Sequence, residues 1–240
     1  MSNRLFSLPT PDCNVSYPIL PESKKRQSFE LRALGLRDFA GVRDGQPLDP
    51  FALARFARLL VVDFDSIEGL SPESRARLLG PAVDEWSGGA CSRPLPNGWR
   101  LVILNPAHGP RRNRATLMEE IAHVFLGHTP NRLAVVSETP MDASSSEYRL
   151  QAESGDQHAS NRQKHRRVLA REYNQADEEA AYAVGAAALV PYGSLRQLVT
   201  RGRSSTEIAR HFRVSRQLVE YRIKVTHLWT DYQQSQARII

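Results

Sequence analysis

Apolar residues along the chain fall into short periodic stretches separated by polar and proline-rich segments. From Met1 to Ser28, Pro9, Pro11, Pro18 and Pro21 interrupt any period, so residues 1–28 are expected to form a flexible tail. The first helical pattern runs from Asp49 to Leu60, with Asp49 suited to the N-cap and Pro50 to the first helical position. Val61 to Phe64 reads as a short strand, and Ser71-Pro72 opens a second helix that Gly80 closes. Trp86 to Cys91 and Trp99 to Leu104 predict a hairpin, and the unbroken Leu101-Val102-Ile103-Leu104 places its second strand inside a sheet. Arg111-Arg112-Asn113-Arg114 is expected as a basic loop before a third helix from Thr116 to Leu126. Arg132 to Ser137 suits another strand, while Met141 to Lys164 is too polar to bury a core and reads as a mobile insertion. An alanine-rich fourth helix, Asp177 to Leu189, stops at Pro191, and Ser204 to Leu228 predicts two short helices separated by a tight turn.

Composition narrows the class. A chain of 240 residues is long enough for one large domain or two smaller ones, either with a real core. No apolar run of about 18 residues suggests a membrane span, and the first residues lack the apolar stretch of a secretory signal. Cys13 and Cys91 make neither a disulfide framework nor a cysteine zinc site, so the reducing cytoplasm is the expected location. The net charge of +6 is compatible with affinity for nucleic acid and equally with a soluble basic surface.

The third helix carries the candidate chemistry. Thr116-Leu-Met-Glu-Glu-Ile-Ala-His123-Val-Phe-Leu-Gly-His128 is apolar except for a few ionisable positions. At about 100° per residue, Glu119, Glu120 and His123 fall within one arc of roughly 100°. On the fourth helix Glu178, Glu179 and Tyr182 occupy a similar arc, amid Ala180, Ala181, Ala183, Gly185, Ala186, Ala187 and Ala188, small residues that allow a close helix approach. If the arcs face each other, the carboxylates cannot all ionise unless a cation joins them, and carboxylate plus imidazole suits a divalent metal such as zinc.

These two stretches, Thr116 to His123 and Glu178-Glu-Ala-Ala-Tyr-Ala-Val-Gly-Ala-Ala-Ala-Leu-Val-Pro191, resemble the ImmA/IrrE family of metallopeptidases, over roughly Ala40 to Leu228. The resemblance implies a zincin-like core. In that family a helix bearing H-E-x-x-H supplies two zinc-binding histidines and a water-activating Glu, and a Glu on the next long helix completes the ligands. Carried onto this chain, Glu120 is the general base, His123 a ligand and Glu178 the third ligand, counted back from Pro191. Two positions depart: Glu119 stands where the family has its first His, and Tyr182 where it often has Asn. Three readings of Glu119 stay open. It ligates the metal, giving a harder, more negative site for zinc or manganese; it caps the helix with Thr116 in a capping box; or it pairs with Arg112, Arg114 or Arg171 in a purely structural cluster. His128 lies about 140° around the helix from His123 and is expected as a surface or supporting residue, unless the helix ends at Gly127. Arg171, Tyr173 and Asn174 are placed to line the cleft, with Tyr173 either an oxyanion donor or a packing aromatic.

From Ser204 to Ile223 the chain reads as helix-turn-helix, with Ser204 and Glu207 a capping box, Ser215 capping the second helix, and Arg213 where Gly is usual. Arg216 and Gln217 begin the second helix and are the residues expected to meet DNA if the unit binds it. The expectation is therefore an α+β fold: a zincin-like metallopeptidase domain over 29–192, with an insertion at 141–165 and a small sheet, then a helix-turn-helix-like unit over 193–240. The resemblance implies limited cleavage of a protein partner, typically a helix-turn-helix transcriptional repressor. The alternatives are a catalytically inactive binding module that keeps the fold, and a DNA-binding regulator acting through the C-terminal unit.

Overall fold

The computed structural model describes residues 18–67, 70–91, 94–128 and 174–238. The described chain is mostly helical, with one small mixed sheet of three strands. In order, α1 spans Lys24–Phe39, α2 Pro50–Ala54, β1 Leu59–Val62, α3 Pro72–Leu79, β2 Gly88–Ala90, β3 Arg100–Leu104 and α4 Pro110–Leu126. After the undescribed stretch come α5 Gln175–Leu189, α6 Tyr192–Thr200, α7 Ser205–Phe212, α8 Arg216–Val225 and α9 Trp229–Ala237. Among the described residues no helix is long and apolar enough to cross a membrane.

β3 is the central strand, parallel to β1 with Leu60 opposite Leu101 and antiparallel to β2 with Gly89 opposite Ile103. The hairpin and the inner position of the second strand match the expectation from its apolar run. The first helix does not. Asp49 caps it as expected, accepting from the Phe51 N–H, but α2 stops at Ala54. Arg58 then turns at a positive φ of 54°, and Leu59 is already paired with Arg100. The apolar residues of Leu59 to Val62 thus belong to a strand, two residues earlier than expected, because sheet pairing overrides their apparent helical period. α3 starts and stops as expected, with Ser71 Oγ accepting from the Ser74 N–H and Gly80 at its end.

Two corrections bear on the site. The tail expected through Ser28 ends earlier, since α1 begins at Lys24. Its buried stripe includes Phe29, Ala33 and Leu36, but also Glu30 and Arg37, and these charges hide the amphipathic period. The basic run Arg111 to Arg114 is likewise not a loop but the first turns of α4, which starts at Pro110. Its start is fixed by the fully buried Asn105, whose Nδ2 donates to the Val83 and Trp86 carbonyls and whose own carbonyl accepts from Asn113 Nδ2.

Most of the buried apolar side chains form one continuous cluster from Phe29 on α1 to Leu228 after α8, with Phe64 and Ala82 outside it. A buried ion pair crosses it. Arg222 Nη2 on α8 donates to Glu30 Oε2 at 2.6 Å, Arg222 Nε donates to the Val190 carbonyl, and Glu30 Oε1 accepts from the Tyr192 N–H. Arg37, also buried, donates to the Ala188, Arg43 and Gln46 carbonyls. α1 is thereby tied to the α5–α6 corner and to α8.

Candidate metal centre

α4 and α5 cross where α5 is nearly free of side chains. A Cβ added at Gly185 would lie 3.1 Å from the Met118 carbonyl oxygen and 3.3 Å from the Glu119 nitrogen. Backbone therefore packs on backbone, and the small residues singled out in the sequence serve that approach. On the opposite side α4 presses on the sheet, where a Cβ at Gly88 would sit 2.7 Å from Thr116 Cγ2. We expect Gly185→Leu to destabilise the protein by about 1–3 kcal/mol, since a side chain there must push backbone apart. Thermal unfolding measures this, and an unchanged midpoint would show that the crossing is not close-packed.

The crossing brings Glu119 and His123 of α4 to Glu178 of α5. Each offers a ligand atom, and the three atoms lie within 4.8 Å of one another. His123 Nε2 stands 3.7 Å from Glu178 Oε2, with side chains only 13% and 24% exposed. Glu119, partly buried like the other two, has its carboxyl pushed up to about 7 by burial first, then by the charges of Glu120 and Glu178. His123 is held below the usual imidazole range, by burial first and also by His128, against the opposing pull of Glu178 and Asp177. Two carboxylates and one imidazole thus bring their lone pairs to one partly buried place, which is the donor chemistry a divalent cation needs.

The structure decides among the readings of Glu119 in part. The capping box with Thr116 is overturned: α4 starts six residues before Thr116, whose Oγ1 instead donates to the Arg112 carbonyl one turn back. Arg114 is engaged elsewhere, with Asp49 and the Leu48 carbonyl, and Arg112 donates to Ser87 Oγ. Arg171 and Tyr173 lie outside the described residues, as do the strand expected at 132–137 and the insertion at 141–165. The polar arc of α5 is narrower than expected. Glu179 turns outward, where its carboxylate pairs with Lys25 Nζ at 2.8 Å. Tyr182 stays inside, its ring edge-on to Tyr221 of α8, its phenol pushed up by burial, by Tyr221 and by Glu119. Glu120 is half-buried beside the ligands.

Three supporting residues complete the site. Gly127 ends α4 in the left-handed region, at φ 73°, and the His128 N–H bonds back to the His123 carbonyl. This ending brings His128 Nδ1 to 3.1 Å from His123 Nδ1, with its Nε2 3.6 Å from Asp177 Oδ1. Asn174 caps α5, accepting from the Ala176 and Asp177 N–H groups, and its Nδ2 holds Asp177 Oδ2 at 2.8 Å. The return of His128 was legible in Gly127; the part of Asp177, next to Glu178 in the first turn of α5, was not seen.

Away from the site, α7 and α8 are separated by a short turn in which Arg213 takes the left-handed conformation, φ 57°. The capping box of Ser204 with Glu207 is present and Ser215 caps α8, both as expected, and Ala209, Val214 and Val219 are buried. Arg216 and Gln217 are exposed at the start of α8, and Arg216 Nε lies 3.1 Å from Glu220 Oε1 on the same helix.

No curated protein and no solved structure matches the chain. A family model does match, across α5, α6, α7 and most of α8, a stretch that contains Glu178 but neither Glu119 nor His123. That stretch, residues 157–224, matches the IrrE N-terminal-like domain, Peptidase_M78, the family that the two ligand-bearing helices resemble.

Proposed function

We propose that Glu119, His123 and Glu178 hold a divalent cation and that the chain is a metal-dependent peptidase. The observation that carries this reading is the convergence of three ligand atoms within 4.8 Å from two helices far apart in sequence. Glu119 takes the place of the family's first His as a ligand, so the donor set is one nitrogen and two carboxylates, suited to zinc or manganese. A cation held there supplies Lewis acidity to polarise a peptide carbonyl. Glu120, the residue after the first ligand on α4 and half-buried, would be the general base that takes a proton from the attacking water. The substrate class that goes with the family resemblance is another protein, cut at few places, with helix-turn-helix repressors as the first partners to try.

The replacement of His by Glu119 also favours a second reading, a binding module that keeps the fold without catalysis. The DNA-binding reading has less support, because Arg216 and Arg203 each engage a glutamate on or beside their own helix.

Elemental mass spectrometry of untagged protein, purified without chelator, separates these readings. Wild type should carry about one zinc or manganese per chain, and Glu178→Ala and Glu119→Ala should lose it. Metal retained by Glu119→Ala would return that residue to a structural part. Wild type that takes up no zinc or manganese, even when supplied, would leave the binding module. Where metal is bound, Glu120→Gln should keep it and abolish cleavage.

A further inference from the structure

A line of polar atoms runs away from His123 through His128 and Asp177. We infer that His128 and Asp177 are positioning residues for His123, fixing its tautomer so that Nε2 faces the cation. This rests on the metal-centre reading above and concerns how the site is held.

The proton count follows from the contacts. His123 turns Nε2 toward Glu178, at 3.7 Å, and Nδ1 toward His128 Nδ1, at 3.1 Å. Two ring nitrogens at that distance form a hydrogen bond only if one carries a proton and the other a lone pair. When His123 Nε2 gives its lone pair to a cation, its proton is on Nδ1, so His123 donates and His128 Nδ1 accepts. The remaining proton of neutral His128 is then on Nε2, which faces Asp177 Oδ1. That gap is 3.6 Å, an electrostatic contact rather than a full hydrogen bond. Asp177 is in turn held through its other oxygen by Asn174 Nδ2. His128 thus accepts from His123, and its own Nε2 proton faces the Asp177 carboxylate across the longer gap. Carboxylates and carbonyls commonly orient metal-binding histidines in this way, and their loss typically weakens metal binding about 10–100-fold.

The geometry also shows why these residues meet. His128 lies five positions after His123, on the wrong side of a continuing helix. The left-handed Gly127 ends α4 and returns His128 over His123, with the two rings edge-on at 5.2 Å between centroids. Both imidazoles are 13% exposed, so neither is a mobile surface group.

The test uses the full chain with zinc, titrated against a chromophoric chelator, and with cobalt as a spectroscopic probe. His128→Phe keeps the ring and removes the acceptor; it should weaken zinc binding at least tenfold and alter the cobalt absorption bands. His128→Asn restores an acceptor near the position of Nδ1 and should recover most of the affinity, while Asp177→Asn should lose a few-fold. Thermal unfolding of the metal-free variants within a few degrees of wild type would show that folding is not the cause. Equal zinc affinity in wild type and His128→Phe would overturn the inference and leave the metal centre standing. So would His128→Asn binding as weakly as His128→Phe. Wild type that binds neither zinc nor cobalt would overturn the metal centre itself. Nitrogen chemical shifts of the zinc-bound wild type give a readout free of any variant: His128 should carry its proton on Nε2, and a proton on Nδ1 contradicts the line.

Discussion

Glu30→Ala is expected to lower folding stability by about 3–5 kcal/mol, among the largest effects available to a single residue in this chain. Glu30 and Arg222 are 1% and 3% exposed, and the change removes a 2.6 Å ion pair between them. It also removes Glu30 Oε1, which accepts from the buried Tyr192 N–H. Arg222 would keep its bond to the Val190 carbonyl but would hold a buried charge with no counter-ion. The loss measures that uncompensated charge, not the value of the pair, because desolvating both partners offsets much of their attraction. A double variant, Glu30→Leu with Arg222→Met, should therefore recover a large part of the loss. Urea unfolding of the three proteins decides the matter. A single variant within 1 kcal/mol of wild type, or a double variant worse than both singles, would mean that the pair is neither dry nor coupled.

Glu119→Gln should stabilise the metal-free protein above neutral pH, by up to roughly 3 kcal/mol. The sign follows from proton binding. The carboxyl titrates at about 7 in the folded chain against 4.5 for an ordinary glutamate. Between those values the folded state binds more protons than the unfolded state, so stability falls as pH rises, and the loss is complete above about 7. Glutamine has no such proton to lose. The two proteins should therefore be similar near pH 4.5 and diverge with rising pH. His123, held below its ordinary 6.5, acts in the opposite sense at low pH, which is why the difference between the two proteins is the quantity to follow. A saturating divalent cation should reverse the order at pH 8, stabilising wild type and doing little for the variant. Parallel curves for the two metal-free proteins between pH 5 and pH 8 would show that Glu119 is not held in the environment described.

The hairpin, the inner strand, the two site helices and both capped C-terminal helices were legible in the sequence, because each carries a local signal. Pro94, Pro96 and Gly98 mark the turn of the hairpin, Ser204 and Ser215 cap α7 and α8, and Pro191 stops α5. The convergence of Glu119, His123 and Glu178 was readable from helical spacing together with the small residues around Gly185. What stayed hidden depends on tertiary partners. α1 was missed because Glu30 and Arg37, which read as solvent-facing, are buried and satisfied by Tyr192, Arg222 and carbonyls remote in sequence. The start of α4 was misplaced because its first turns carry three arginines, two of which find partners at the N-cap of α2 and just before β2. Glu179 was placed in the site by its angle on the helix, but Lys25 of the unseen α1 draws it outward.

The crossing of α4 and α5 at Gly185 has a consequence for the life of the protein in a cell. Between His123 and Glu178 lie 54 residues of chain, so the unfolded polypeptide offers no ready-made cation site. A cation held by the three residues then binds the folded chain alone, and at one hundred times its dissociation constant it adds about 2.7 kcal/mol of stability. Under that reading cation supply governs abundance as well as activity. When the ion is scarce, more chains open and meet proteases, and the pool shrinks before any of its members has been switched off.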